Sequence, residues 1–160
     1  MAAISSTSFL IREYRSEDFL TLWRIDQACF VRGIAYSQFE LRAYIRRKKT
    51  LTLIAERPKT EEIVGFLVAE AGGDRLAHII TLDVLPDYRK QGVGSLLLDV
   101  FEARATQGGS RVVRLETAVD NAVAIAFYKR KGFDVIGTYP RYYSNGVDAL
   151  VLRKELASSN

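Results

Sequence analysis

Residues 89–98 read RKQGVGSLLL, and the meaning of that short stretch decides the fold. Glycine allows a positive φ and lets a ligand approach the backbone, and the unpaired N–H groups at a helix start favour an anion. The apolar residues Val93, Leu96, Leu97, Val100 and Phe101 recur at i, i+3, i+4, i+7 and i+8, so the glycines open an amphipathic helix. A Walker-type phosphate loop needs Lys and then Ser or Thr directly after its last glycine, whereas Gly94 is followed by Ser95-Leu96. A dinucleotide fingerprint would use Glu116, about twenty residues on. Its third small residue would fall on Leu97, however, and the six residues PDYRKQ separate strand from glycines. The chain also lacks room for a second nucleotide-binding half. A glycine pair alone can simply serve a tight turn, so the surrounding sequence carries the decision.

Before the glycines, HIITLDVL at 78–85 is a strand-like run, apolar on both faces, ended by Pro86-Asp87. After them, Gly108-Gly109 closes the helix and RVVRLET at 111–117 returns as a strand, so 78–117 is a βαβ unit with a parallel pair. Upstream, LTLIAE at 51–56 and IVGFLVAEA at 63–71 are two further strands. With 78–85 they form an antiparallel meander whose third strand lies mid-sheet. FLIREY at 9–14 is a first strand. Ser16-Glu17-Asp18 starts a helix over 17–29 with Phe19, Leu22, Trp23 and Ala28 or Phe30 inward, and Ser37 caps a second helix through Leu41, Tyr44 and Ile45. Downstream, Asp120 or Asn121 caps a last helix to Lys131, with Gly132 as its C′ residue and Phe133 as the apolar contact beyond. Strands at 134–139 and 147–154, joined by a loop holding Tyr142, Tyr143 and Asn145-Gly146, complete the chain. The fold class is α/β (α+β): a mixed, mostly antiparallel sheet of about seven strands, four helices and a splayed parallel pair.

A length of 160 residues suits one domain, placed at 9–156 with 1–8 as a disordered tail. A composition of 48% hydrophobic and 26% charged residues is that of a globular protein. MAAISSTS has neither the basic start nor the apolar run of a signal peptide, and no apolar stretch is long enough for a bilayer. The expected location is cytoplasmic, with no membrane partner. One cysteine, Cys29, excludes an internal disulfide, and one histidine, His78, excludes the common Cys/His zinc spacings, so no metal site is expected. The net charge of +4 suits an anionic ligand. Its basic residues are scattered rather than gathered on one run, which makes nucleic acid an unlikely main partner. Nothing here indicates an oligomeric state.

Arg89-x-x-Gly92-x-Gly94 after an antiparallel strand, followed by LETAVDNAVAIAFYKRKGF at 115–133, resembles the acetyl-CoA-binding core of the GCN5-related N-acetyltransferases (GNAT). The resemblance covers roughly 76–154 closely. The NxxAIxFYxxxGF form and the late YYSNGVDALVL at 142–152 are similar to the protein N-terminal acetyltransferases, including the branch acting on ribosomal-protein alanine N-termini. The resemblance implies acetyl-CoA as cofactor. It implies a pyrophosphate held by the amides of Gln91, Gly92, Val93, Gly94 and Ser95 beside Arg89, a pantetheine arm along Leu82 and Val84, and a cofactor contact from Asn121.

Acetyl transfer needs a neutral amine, a stabilised oxyanion and a partner for the leaving thiolate. Tyr128 occupies the family's acid position. A phenol near pKa 10 facing a thiolate near 8.5 is uphill by about 2 kcal/mol, so it hydrogen-bonds the sulfur early and gives up its proton late. As base, Glu116 stands where the ribosomal branch has a catalytic Glu, and His78 stands where related enzymes carry a Tyr. An imidazole near 6.5 is a closer match than a carboxylate near 4.3 to an ammonium near 8, and one water can relay the proton. The choice between them stays open, as does a plain packing role for each. Freeing an α-amine at pH 7 costs about 1.4 kcal/mol and freeing a lysine about 4.6. The expected acceptor is therefore a protein or peptide N-terminus, bounded by Phe30, Tyr36, Tyr142 and Tyr143 as the resemblance places them. Val31 stands where the family usually has Pro, which bears on peptide specificity. A small-molecule amine acetyltransferase is the alternative, and a non-catalytic acyl-CoA-binding module a third reading. No base-like motif accompanies Cys29, so transfer is expected to be direct.

Overall fold

The computed structural model describes residues 9–72 and 74–157, so the proposed tail at 1–8 lies outside the described residues. In chain order the elements are β1 (Leu10–Glu13), α1 (Phe19–Cys29), α2 (Gln38–Ile45), β2 (Thr50–Glu56), β3 (Ile63–Ala71) and β4 (Leu76–Val84). They are followed by α3 (Val93–Gln107), β5 (Val112–Ala118), α4 (Ala122–Arg130), β6 (Asp134–Tyr139) and β7 (Ala149–Glu155). The seven strands form one sheet in the order β1-β2-β3-β4-β5-β7-β6, with β4 in the middle as the meander predicts. All neighbours are antiparallel except β4 and β5, the parallel pair of the βαβ unit. The α/β (α+β) class and the splayed pair are borne out. Among the described residues no helix is long and apolar enough to cross a membrane.

Local chemistry fixes the helix ends. Ser37 and Glu40 form a capping box at α2, Ser37 Oγ accepting the Glu40 amide at 3.1 Å and Glu40 Oε1 accepting the Ser37 amide at 2.9 Å. Asn121, the second of the two expected caps, accepts the Ala124 amide at 3.1 Å. At the other end of α4, Gly132 takes a φ of +96° and the Phe133 amide donates back to the Tyr128 carbonyl at 3.0 Å, the expected left-handed stop with its apolar partner buried behind it.

Two cores sandwich the sheet. On one face α3 buries its own Leu97, Leu98 and Phe101 fully, each worth about 2 kcal/mol on removal from water, and α4 adds Tyr128 to the same core. On the other face α1 and α2 cover Phe19, Leu22, Ile25 and Leu41. The inward set expected for α1 needs correcting. Ile25 and Asp26 are buried while Ala28 is exposed, and a 3-10 turn at Ser16–Asp18 precedes the α-helix. That turn delays the first α-helical residue and rotates the buried stripe to residues 22, 25 and 26.

The run apolar on both faces is also corrected, because β4 buries alternate residues, and the buried set includes Thr81 and Asp83. Its ladder with β3 shifts where Val68 pairs with Thr81 and Ala69 with Ile79, which leaves Ile80 surplus. Such a bulge reverses the alternation. Upstream, Ala77 and Ile79 point into the α3 core; downstream, Leu82 and Val84 do so. His78, Ile80, Thr81 and Asp83 therefore fall on the α1–α2 side.

Candidate active site

The parallel pair holds together over only three positions, Leu76 with Val112 through His78 with Arg114, after which the strands part. The Leu85 amide bonds β3 through the Val64 carbonyl at 2.9 Å. By the alternation of a ladder, the backbone groups of Leu82 and Val84 then face the opening toward β5. An amide-containing arm can use the Leu82 backbone groups and the Val84 N–H on that side, the Val84 carbonyl being occupied by Arg89 and Cys29.

At the wide end of this notch stands the start of α3. Gly92 is its N-cap with a φ of +87° and no side-chain cap bond, and a Cβ built there would meet nothing within 4 Å. The first amides of α3, from Val93, Gly94 and Ser95, thus open onto free space, as an anion requires. Gly94 packs under Phe127, with the ring 3.4 Å from a would-be Cβ. Arg89 is exposed and donates from Nε to the Val84 carbonyl at 3.0 Å, which stations its charge at the mouth. Gln91 donates to the Asp87 carbonyl at 3.1 Å, holding the turn that leads into the glycines. Asn121 spends its Oδ1 on the cap of α4 and keeps its side-chain N–H groups. These features fit a pyrophosphate with an amide-bearing tail.

The opposite side of the notch carries the titratable groups. Val113 and Leu115 of β5 point into the α3 core, so Arg114 and Glu116 face the other way, beside His78. His78 Nε2 and Glu116 Oε1 are 2.7 Å apart, and the Tyr142 hydroxyl donates to the same Glu116 oxygen at 3.4 Å. Glu116 is largely covered while His78 remains a third exposed. They open into a cleft of about 540 Å³ that Lys49, Glu70, Arg114 and Tyr142 also line. Desolvation, helped by the Glu116 charge, pushes the Tyr142 phenol up to about 12, so it stays a donor to Glu116. Tyr128 is buried from α4, edge-on between Phe127 and Phe133 at 5.2 and 5.3 Å between ring centroids. Burial and the charge of Asp83 raise its phenol well above the ordinary value.

The four expected aromatic walls do not share one pocket. Tyr142 lines the cleft with His78 and Glu116, and Tyr143 packs edge-on against it at 5.0 Å. Phe30 and Tyr36 line a second cleft of about 810 Å³ with Trp23, Ser144 and Asn145. Tyr36 is as much a strut as a wall, since its hydroxyl reaches the Ile80 carbonyl at 3.4 Å. The two loops meet where Ser144 Oγ donates to the Gly33 carbonyl at 2.9 Å. Cys29 donates from Sγ to the Val84 carbonyl at 3.3 Å, and burial pushes its thiol up to about 12. Sequence reasoning passed over Asp26 of α1 and Asp83 of β4, both fully buried where the helix packs on the strand. For Asp83 the available signal was a carboxylate inside a strand-like apolar run, whereas Asp26, close to Arg24 and Gln27, carried none.

A notch with an anion cradle at one end and an imidazole–carboxylate pair across the sheet is laid out for a group-transfer protein with two substrates. The chain belongs to the acetyltransferase (GNAT) family, whose family model matches residues 16–133, and acetyl-CoA is the cofactor of that family. It is 42% identical over 97 residues to an uncharacterized protein of Mycobacterium leprae, covering 56% of this chain and 26% of that protein. It is 32% identical over 113 residues to N-alpha-acetyltransferase daf-31 of Caenorhabditis elegans, covering 67% of this chain and 62% of that protein. The chain therefore spans less than two thirds of the length of both these relatives. Among solved structures, Ard1 from Thermoplasma volcanium superposes with a TM-score of 0.85 at 28% identity, covering 94% of this chain and 99% of that one.

Proposed function

We propose that this chain acetylates the free α-amine of a protein or peptide N-terminus, with His78 and Glu116 managing the amine proton and Tyr128 facing the leaving sulfur. The observation that carries the reading is the 2.7 Å contact between His78 Nε2 and Glu116 Oε1. It lies on the side of the sheet away from α3, at the point where the β4–β5 ladder ends. Resemblance to N-alpha-acetyltransferases in sequence supports the choice of acceptor.

Bound acetyl-CoA supplies an activated acetyl thioester. The chain's own residues would hold it through the amides of Gln91, Gly92, Val93, Gly94 and Ser95, the charge of Arg89, the facing backbone of Leu82 and Val84, and the Asn121 amide. Glu116 has two neighbours on one oxygen, His78 and Tyr142, and keeps its other oxygen for an amine or a water. A proton taken on Glu116 can pass to His78, and one taken by His78 directly, which is partially exposed, can go on to solvent. Because only about 1.4 kcal/mol is needed to free an α-amine at pH 7, this modest pair suffices for an N-terminus, whereas a lysine asks about 4.6. The raised phenol of Tyr128 is a weaker acid than a free one, which makes hydrogen-bond donation from its Oη the principal contribution and delays proton release.

The test is mass spectrometry of the protein incubated with acetyl-CoA, a peptide set differing in the first residue, and a set of polyamines, aminoglycosides and lysine-bearing peptides with blocked N-termini. Acetylation is expected on free peptide N-termini. Faster acetylation of every small amine or lysine than of any N-terminus overturns the acceptor assignment, and binding of CoA without turnover on any amine overturns the enzyme.

A further inference from the structure

We propose that Asp26 and Asp83 share a single proton and serve as positioning residues for the acceptor, fastening the loop between α1 and α2 to β4 beside the notch. The catalytic consequence rests on the N-terminal acetylation reading, and the structural consequence does not. Both side chains are fully buried, one from α1 and one from β4. Their four oxygens can be accounted for one at a time. Asp26 Oδ2 accepts the Tyr36 amide at 2.7 Å, and Asp83 Oδ1 accepts the Thr81 hydroxyl. Asp26 Oδ1 and Asp83 Oδ2 remain, buried and without a donor, where α1 packs on β4, Cys29 Sγ one turn beyond Asp26 reaching the carbonyl of Val84 next to Asp83 at 3.3 Å, and each carboxyl is the other's neighbour. Two ionised carboxylates offer no donor, and one proton between the two remaining oxygens satisfies both. Complete burial works the same way, since a second charge here costs more than retaining the proton.

The titratable and charged groups facing the pair are Glu40 from α2, Cys29 from α1, Tyr36 from the loop, Tyr128 from α4 and Arg89 beyond β4. Arg89 is the cation of this group, and its Nε is already donated to the Val84 carbonyl.

What hangs on the pair is the acceptor loop. Tyr36 is its knot: its amide is held by Asp26, its carbonyl receives Trp23 Nε1 at 3.1 Å and Gln27 Nε2 at 2.7 Å, and its hydroxyl reaches β4. Without the Asp26–Asp83 bond, the Asp26 end of that knot is no longer tied to the strand beside the cofactor notch. A loop displaced by about an ångström misplaces the amine it helps to seat.

The pH dependence has a definite sign. Burial raises both carboxyls, Asp83 the more strongly. The stability linked to the proton is therefore full below the ordinary carboxyl range and declines as pH rises toward the raised value. Asp83→Asn substitutes a permanent donor toward Asp26 while its carbonyl still accepts from Thr81, so it keeps the bond and removes the decline. Asp83→Ala removes the bond.

The experiment compares the full chain with these two variants by hydrogen exchange of residues 30–37 without ligand, by Tm between about pH 5 and 9, and by acetylation of a heptapeptide set with free N-termini. Asp83→Ala is expected to speed exchange in 30–37 relative to β5 and to raise peptide KM, each by about tenfold, with protection by CoA within about twofold of the parent. Asp83→Asn is expected to restore both and to flatten the fall of Tm with pH. Parent-like exchange in Asp83→Ala, failure of Asp83→Asn to restore it, or an unchanged pH slope in Asp83→Asn overturns the proposal. Should Asp83→Ala not fold, the slope and exchange of Asp83→Asn decide alone. If the parent acetylates no peptide, the acceptor reading fails while exchange and slope still decide the pair.

Discussion

Replacing Gly92 separates two demands that the start of α3 makes, one on backbone conformation and one on space. Its φ of +87° lies in the left-handed region, and a Cβ there meets no atom within 4 Å. Gly92→Ala consequently costs conformational strain alone in the free protein, about 1–2 kcal/mol. In a chain of this size that lowers Tm by roughly 2–8 °C. Asn, which tolerates the left-handed region better, loses less. With ligand the ranking changes, because the added methyl group stands in the open space before the amides of Val93, Gly94 and Ser95, and Gly92→Asp adds a like charge to it. Differential scanning fluorimetry with and without CoA at fixed ionic strength reads both effects. The rise in Tm caused by CoA is expected to shrink in Gly92→Ala and vanish in Gly92→Asp, whereas the drop in the free protein follows Ala more than Asn. CoA protection of Gly92→Asp as full as that of the parent would refute the anion cradle. An unliganded Gly92→Ala as stable as the parent would refute the strained turn.

Glu116→Gln and His78→Ala are each expected to move the rising limb of the rate profile to higher pH, since more amine must then arrive neutral; a shift in only one variant assigns the base to that residue, and no shift removes both. Tyr128→Phe is expected to lower kcat at least tenfold while CoA affinity changes less than about threefold, because the missing hydroxyl matters when charge builds on sulfur; an unchanged kcat in single-turnover measurements leaves Tyr128 as packing. Cys29→Ala is expected to retain most activity, and at pH 8 the parent thiol is expected to alkylate slowly, its pKa having been pushed by burial up to about 12; a labelled acetyl-enzyme trapped without acceptor contradicts direct transfer.

The features that could be read from the sequence are those whose chemistry is local. The Asn121 cap and the Gly132 stop each depend on residues a few positions apart and stand as expected, while the α3 stripe holds at Val93, Leu97 and Phe101 but not at Leu96, which is exposed while Leu98 is buried. The His78–Glu116 contact spans 38 residues, yet the βαβ unit alone sets those two side by side on one face. Harder to read was the β4 bulge, since a surplus Ile80 follows from pairing with β3 and leaves no mark in the apolar pattern. The same holds for the insertion of β7 between β5 and β6. Asp26 and Asp83 escaped because periodicity counts apolar residues inward and treats a carboxyl as solvated, which is right unless a second buried group can share its proton.

The surplus residue in β4 gives the strand two independently adjustable segments. Upstream of Ile80, His78 contributes a side chain to the cleft it lines with Glu116; downstream, Leu82 and Val84 turn their side chains to the core. On the proposed function, drift at position 78 would retune what is acetylated without touching how the donor is gripped, and that grip would tolerate any side chain at 82 or 84 that fills the same volume. Removing the surplus residue at 80 would join Ile79 to Thr81 in regular alternation and leave the other side chains of the strand on their present faces. On the proposed function, substitutions give this strand room to change specificity, and its spare residue is the place where its length can change without turning a side chain over.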